Sequence, residues 1–475
     1  MAQATHTQFA GFDRRLLMLG FGCVGRGVLP LLLRHIAIAP EQIRILNAGE
    51  TGAGVAAEYG AAFVNRPINR ENYRAVLQEE LAPGDFLLNL SINVGSVDLI
   101  AWCQEHGVLY LDACIEPWEG GYTDASTPPA LRTNYALREA ALALRRPGGE
   151  APTAVLTHGV NPGLVSHFVK QALLNLAYDL LLDAGRPVDR QGWAALARRL
   201  GIRTIHVAER DTQSSARRKQ RGEFVNTWSV EGFVGEGCQP AELGWGTHER
   251  HWPAEAHRHG SGCDSAIWLE RPGAGTRVRS WTPLEGPYLG FLITHGESIS
   301  IADYLTVRDG DRLIYRPTVH YAYHPCDDAV LSLHELAGRA WQLQPGRRQL
   351  SAEDIDAGMD ELGVLLMGHE QGAYWYGSRL TNDQAVALAP HNNATSLQTA
   401  AGVLSGVVWA MNHPDSGIVD PEEMDFTEVM AVALPYLGDM AGAYSDWTPL
   451  QHRNTLFPET LDMEDPWQFQ NVLVT

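Results

Sequence analysis

At 475 residues the chain is too long for one ordinary domain, and a hydrophobic fraction of 45% with 13 Trp is ample for two or three cores. The formal charge of −20 argues against a nucleic-acid partner and fits either a cationic or neutral ligand or plain solubility. The six cysteines, Cys23, Cys103, Cys114, Cys238, Cys263 and Cys326, form no C-x-x-C pair, which predicts reduced thiols in a cytoplasm rather than a disulfide framework.

The first residues lack the apolar core of a signal peptide, and the apolar zone from Leu16 is broken by Gly22, Arg26 and Pro30, so no membrane span is expected. Leu16, Leu17, Met18 and Leu19 read as a strand buried on both faces. Gly20, Gly22 and Gly25 follow as G-x-G-x-x-G, with Cys23 and Val24 between the last two. The first glycine suits the tight turn, the second the approach of a pyrophosphate, and the third close helix packing. The helix that follows draws an apolar face from Leu29, Leu31, Leu32 and Leu33, and Pro30 is expected to confine it to one side. A second strand, Ile43–Leu46, ends at Asn47, where a ribose-binding acid is expected. An amide there can bond a ribose hydroxyl but does not repel a 2′-phosphate, so NAD and NADP both stay open at this position.

Asp85–Leu90 and Leu109–Asp112 read as further buried strands. Their ends place Asn89, Ser91 and Glu116 near cofactor or substrate, although Asn89 and Ser91 equally suit a cap or turn. Arg145–Thr153 looks like a linker, which closes a Rossmann NAD-binding domain at 1–150. Ala154–Thr157 is a strand, after which Asn161 suits an N-cap and Pro162 the first position of a helix running to Asn175. From about 201 to 345 strands dominate: Thr204–Glu209, Glu223–Val230, Ala266–Leu269 and Gly290–Ser298. Helices return from about 352 to 445, including Ser396–Trp409. The expected fold class is α/β: a doubly wound parallel sheet plus an α+β domain with a mainly antiparallel sheet at 151–390. A C-terminal helical segment, 391–475, is then free to pack back on the first domain.

Strand alternation in Gly290–Ser298 puts His295 and Glu297 on one face with Phe291 and Ile293. They read either as acid/base or amine-binding groups or as a structural hydrogen-bonded pair. Trp228 shares a predicted face with Phe224 and Val230, so core packing competes with a cation–π role. Glu209, Glu231 and Glu236 near it would make a cage for an aliphatic diamine, or else be solvated or paired with Arg. His248, His251, His257, His259 and Cys263 follow no established zinc spacing, and a polar loop without metal is expected. No G-x-S-x-G elbow points to a hydrolase. Lys170 and Lys219 are the only lysines, and neither reads as a desolvated amine, which disfavours a lysine imine or a PLP anchor.

Together these stretches resemble the bacterial homospermidine synthases, within the saccharopine dehydrogenase-like group. The resemblance rests on Gly20–Gly25, Glu116-Pro-Trp118, Asn134–Glu139, Asn161-Pro-Gly163, Ala208–Gln213 and Val225–Val234. It continues through Gln239–Gly246, His295–Asp303, His320–Pro325 and Asp360–Leu366. It implies NAD-dependent aminobutyl transfer from putrescine, or from spermidine, to putrescine, with release of ammonia and no net redox change. By the same resemblance Glu116, Glu209, Glu236, His295, Glu297 and Asp360 fall in the polyamine pocket. Trp228 would stabilise a cation, Asn161 and Glu209 would position the reacting amine, and His295 and Glu297 would handle protons. Asn47 departs from the Asp expected of the family, which also implies a homodimer. Two rivals remain: a related polyamine reductase with net NAD(P)H use, and an NAD-binding sensor without turnover.

Overall fold

The computed structural model describes residues 6–148, 150–182 and 185–474; Met1–Thr5 and Gly149 of the expected linker lie outside them. Seven strands form one parallel sheet, in the spatial order Ser416–Val419, Ala151–Val155, Leu109–Asp112, Phe86–Asn89, Leu16–Leu19, Ile43–Asn47 and Ala62–Asn65. Leu16–Leu19 is wholly buried, as its unbroken apolar run requires. The chain runs outward from it to Ala62–Asn65, then returns to Phe86–Asn89 on its other side. That reversal opens a crevice beyond the carboxyl ends of the strands, where ligands bind in such sheets.

The second sheet has eleven strands. Its main path is Ala256–Arg258, Ala266–Pro272, Pro240–Gly244, Thr318–His324, Thr204–Asp211, Met359–His369, Gly372–Thr381 and Asp439–Ser445. Only Thr318–His324 and Thr204–Asp211 pair in parallel along it. A Rossmann-type sheet with a mostly antiparallel companion is therefore the architecture, as the sequence pattern implies.

Several local expectations change. Helix Cys23–His35 continues past Pro30, because packing of its buried face against helix Ala394–Asn412 outweighs one missing hydrogen bond. Strand Ala151–Val155 joins the parallel sheet rather than following a linker, and Ser416–Val419 pairs with it. Helix Ala394–Asn412 packs against the first sheet, whereas Asp439–Ser445 and Leu473–Val474 pair within the second. The expected strands at 223–230 and 290–298 stop at Asn226 and Phe291, and helices Val230–Cys238 and Glu297–Tyr304 follow. The region after 352 opens on the short 3-10 turn Ala352–Asp354 and the hairpin Met359–His369 and Gly372–Thr381, and its α-helices come only after them.

Candidate functional site

The glycine turn leaves no room for side chains where it bends. Gly20 has φ +82°, and a Cβ on it would lie 2.7 Å from the Leu90 carbonyl oxygen and the Ser91 nitrogen. At Gly22 a Cβ would meet nothing within 4 Å, so the turn faces open space there. At Gly25 it would press on Phe21 and the Gly20 carbonyl at 3.0 Å. Helix Cys23–His35 has no side-chain cap and no acid in its first turn, so its N–H groups are available to an anion. These features fit the pyrophosphate of a dinucleotide. Asn47 is also tied into the backbone around it. Its Oδ1 accepts the Phe21 N–H at 2.9 Å, while Nδ2 donates to the carbonyls of Gly49 (3.2 Å) and Thr51 (3.4 Å). Its amide thus pins the glycine turn to the loop after Asn47, and a carboxylate would lose both donated bonds.

Beyond the turn a cleft of about 150 Å³ opens between the two sheets. Val24, Asn89 and Ser91 line one side; Glu116, Asn161, Glu209, Trp228, Glu236 and His295 line the rest. Six pocket residues expected from separate stretches of sequence therefore meet in one space. No Lys or Arg is among the residues lining it.

Each polar group is held by its element. Glu209 lies near the end of strand Thr204–Asp211, and its Oε2 accepts from Asn161 Nδ2 at 3.2 Å and from the Tyr321 hydroxyl. Asn161 is therefore no helix cap: the helix starts at Leu164 after Gly163, and the amide is turned to the carboxylate. His295 precedes helix Glu297–Tyr304, with Nε2 3.0 Å from Glu236 Oε2 and Nδ1 3.3 Å from Glu297 Oε1. The predicted pair is real, but it arises from a turn into a helix rather than from strand alternation. Trp228 also leaves its predicted strand. Its Nε1 donates to the Tyr323 hydroxyl at 3.2 Å, and its ring sits 5.2 Å from that of Phe233.

Two expected residues stand behind the lining. Glu297 contacts His295, and Asp360 Oδ2 accepts from Thr395 Oγ1 at 2.6 Å while its Oδ1 is buried without a partner. Glu231 is outside, paired with Arg347 at 2.6 Å near the surface. The four loop histidines go to four different places, with His251 on Asp462 and His257 on Glu270, and no metal-holding group occurs among the described residues. Lys170 corrects its reading. It is buried, donates to the carbonyls of Glu422 and Met424, and burial lowers its amine to about 8. It does not line the cleft.

The protonation pattern follows from burial with no Lys or Arg in the lining. Burial, with Glu236 and Asp112 adding to it, pushes Glu116 up to about 8. Burial likewise lifts Glu209 to about 8, despite the Tyr321 and Asn161 donors. Asp360 is driven well above the ordinary carboxylate range by burial and by its neighbours Glu209 and Asp211. Burial disfavours the imidazolium of His295, yet Glu236 and Glu297 outweigh it and raise the group to about 10. Glu116 and Glu209 thus do not ionise cheaply until a further cation arrives.

The sequence-based reading omits Tyr321, Cys114, Thr395 and Ser396, all of which line the cleft. Tyr321 has a usable signal, since alternation in Thr318–His324 puts it with Tyr323 on one face, but its partner strand is not predictable. The other three carry no pattern that separates them from cap or core.

Known proteins resemble this chain in sequence and fold. The saccharopine dehydrogenase NADP binding domain matches residues 16–156, and the saccharopine dehydrogenase C-terminal domain matches 159–445. The chain is 51% identical over 468 residues to homospermidine synthase of Blastochloris viridis, covering 97% of this chain and 98% of that one. This chain belongs to the homospermidine synthase family. The homospermidine synthase of Mesorhizobium japonicum is also 51% identical, over 97% of this chain and 96% of its own length. The crystal structure of homospermidine synthase from Legionella pneumophila in complex with NAD matches with a TM-score of 0.91 at 50% identity, covering 98% of both chains. As a member of that family the chain is an enzyme of this type, built on a dinucleotide-binding domain and a saccharopine dehydrogenase-like C-terminal domain. Among its described residues no helix is long and apolar enough to cross a membrane.

Proposed function

We propose that this chain binds NAD and transfers an aminobutyl group from putrescine, or from spermidine, to putrescine, releasing ammonia and forming homospermidine. One observation carries the reading: the cleft beside the glycine turn is lined by carboxyls, one imidazole and one indole, with no Lys or Arg. A diammonium ion is the ligand such a lining selects, since Glu116 and Glu209, raised by burial, ionise readily only beside a cation.

The turn at Gly20, Gly22 and Gly25, with Cys23 and Val24 opening the helix and Asn47, Asn89 and Ser91 at strand ends, would hold the dinucleotide. When bound, NAD would supply a hydride acceptor and donor for the amine-bearing carbon, so that the overall transfer leaves no net oxidation. The chain's own residues move the protons and hold the charge. An ammonium has no lone pair to drive hydride loss, so a base must first remove its proton. Glu209, raised to about 8 and steadied by Asn161, suits that role near neutral pH. The Trp228 ring face stabilises the cationic nitrogen of the resulting iminium. His295, protonated between Glu236 and Glu297, gives a proton to the departing ammonia and recovers one from the incoming amine. Glu116 and Glu236 hold the ammonium ends that do not react, while Asp360, behind the lining, fixes the Thr395 hydroxyl. Two putrescines thus give one homospermidine and one ammonia.

A reductase making a carboxylated polyamine needs a cation for the carboxylate, and the lining offers no Lys or Arg. Incubation with putrescine and trace NAD⁺, followed by mass detection, tests the reading. Homospermidine and ammonia should rise together, far beyond the amount of cofactor. Net NAD(P)H consumption points instead to the reductase, and NAD binding without product to a sensor. The reading extends to a cytoplasmic homodimer, supported by the family and by six free cysteines, and light scattering would check the dimer.

A further inference from the structure

The strand Thr318–His324 runs parallel to Thr204–Asp211, with Tyr323 opposite Glu209 and Tyr321 opposite Val207. Tyr321 is 2% exposed, yet it lines the cleft. Its hydroxyl donates to Glu209 Oε2, the same oxygen that accepts Asn161 Nδ2 at 3.2 Å. Its ring lies 4.6 Å from the His295 imidazole, tilted by 31°, and stacks on Tyr323 at 5.2 Å and 12°. Tyr323 in turn accepts the indole N–H of Trp228. One aromatic row therefore connects all three groups assigned to the reacting nitrogen, and Tyr321 is the member that touches both proton handlers.

We propose that Tyr321 is a further site residue, whose hydroxyl fixes the orientation and proton affinity of Glu209 while its ring backs His295, so that both act on one nitrogen. The inference rests on the polyamine reading of the cleft. Two donors on Oε2 tie down one side of the carboxyl, and the cleft then meets it in a single orientation. A hydrogen bond from Tyr321 also favours the ionised form of Glu209, which is the form that accepts a proton from the substrate ammonium. The proton moves from nitrogen to carboxylate, and the hydroxyl keeps its own hydrogen throughout.

Tyr321→Phe keeps the stack on Tyr323 and removes only the donor. With that donor gone, Glu209 ionises at higher pH, so the acid limb of kcat/KM for putrescine should move up by about one pH unit. Glu116, also raised to about 8 but not bonded to Tyr321, should titrate unchanged in the same protein. Tyr323→Phe leaves the donor on Glu209 in place and should not move the limb. An acid limb that coincides with that of the unmodified enzyme, or that moves down, overturns the proposal. Calorimetry of putrescine binding to the NAD-loaded protein gives a readout that does not need turnover: Tyr321→Phe should release more protons on binding at pH 8. If the unmodified protein makes no homospermidine but binds putrescine with proton release, the transfer reading fails while this inference is still tested. Equal proton release in both proteins defeats the inference even where product forms.

Discussion

Trp228 is the sharpest place to test the charge logic of the cleft. Its indole is wedged: a Cβ on Gly232 would come within 3.2 Å of the ring, Phe233 packs on it, and Tyr323 holds its N–H. A ring fixed in this way cannot turn its face from a cation. A desolvated cation over an indole is worth about 2 kcal/mol. At about 1.4 kcal/mol per decade, losing it in the transition state slows turnover about thirty-fold. Trp228→Leu retains apolar bulk without a π face and should show that loss in kcat. Trp228→Phe keeps a weaker face and should fall between Leu and Trp. Trp228→Ala adds an unfilled space and should be the slowest of the three. The assay is the initial rate of homospermidine formation from putrescine, with NAD affinity measured in parallel by calorimetry and expected to change little. If Phe and Leu turn over equally, the ring acts by shape alone and the cation–π reasoning is refuted.

Further expectations concern protons and packing. At pH 7 most of the Glu116 and Glu209 carboxyls, raised to about 8, carry protons. A putrescine dication requires them ionised, so binding should release between one and two protons, read as buffer-dependent binding enthalpy; enthalpies equal in all buffers would contradict it. The same shifts set a sign for stability. A carboxyl raised from about 4.3 unfolded to about 8 folded binds more protons when folded, so its contribution declines as pH rises through that window. His295, raised to about 10, likewise loses its contribution only as pH climbs from about 6.5 toward 10. The Tm gain from putrescine should therefore be larger at pH 8 than at pH 6; an increment that shrinks would contradict this. Asn47→Asp keeps the acceptor for Phe21 but loses two donated bonds, so it should cost about 1–3 kcal/mol by chemical denaturation and leave NAD no tighter. Tighter NAD would put the side chain at the ribose instead. Lys170→Met leaves two buried carbonyls without their donor and should lower stability by about 1–3 kcal/mol. The kcat of the folded fraction should stay the same, and a loss of kcat would mean that Lys170 does more than pin the Glu422 segment.

The strand, glycine turn and helix that begin the parallel sheet are legible because they are local: a buried run, three glycines at fixed spacing and a leucine face lie within one short stretch. The hairpin Met359–His369 and Gly372–Thr381 is not, since most of its residues are buried on both faces and the period of two that marks a half-exposed strand is erased. Asn161 shows another limit. An Asn before Pro and Gly is sound cap chemistry by itself, and only the neighbouring strand shows that its amide serves Glu209. Lys170 misleads because an apolar helix stripe does not reveal which segment will close over it.

The site is more legible than its geometry because its chemistry is carried by composition. Carboxylates, an imidazole and an indole can be named one by one, whereas their partners depend on pairing between distant strands. Thr318–His324 could have paired with any other strand of the second sheet. Only its parallel register beside Thr204–Asp211 brings Tyr321 and Tyr323 to Glu209. On the proposed reading, the same register lets Glu209 be deeply buried and still serve as a base. Two donors steady its charge, while the absence of Lys and Arg from the lining would leave that charge for a cationic substrate to complete. An arginine in the cleft would satisfy the carboxyls permanently and hold them ionised at low pH. On the proposed reading it would also remove the need for a diamine, so selectivity and basicity would share one physical source.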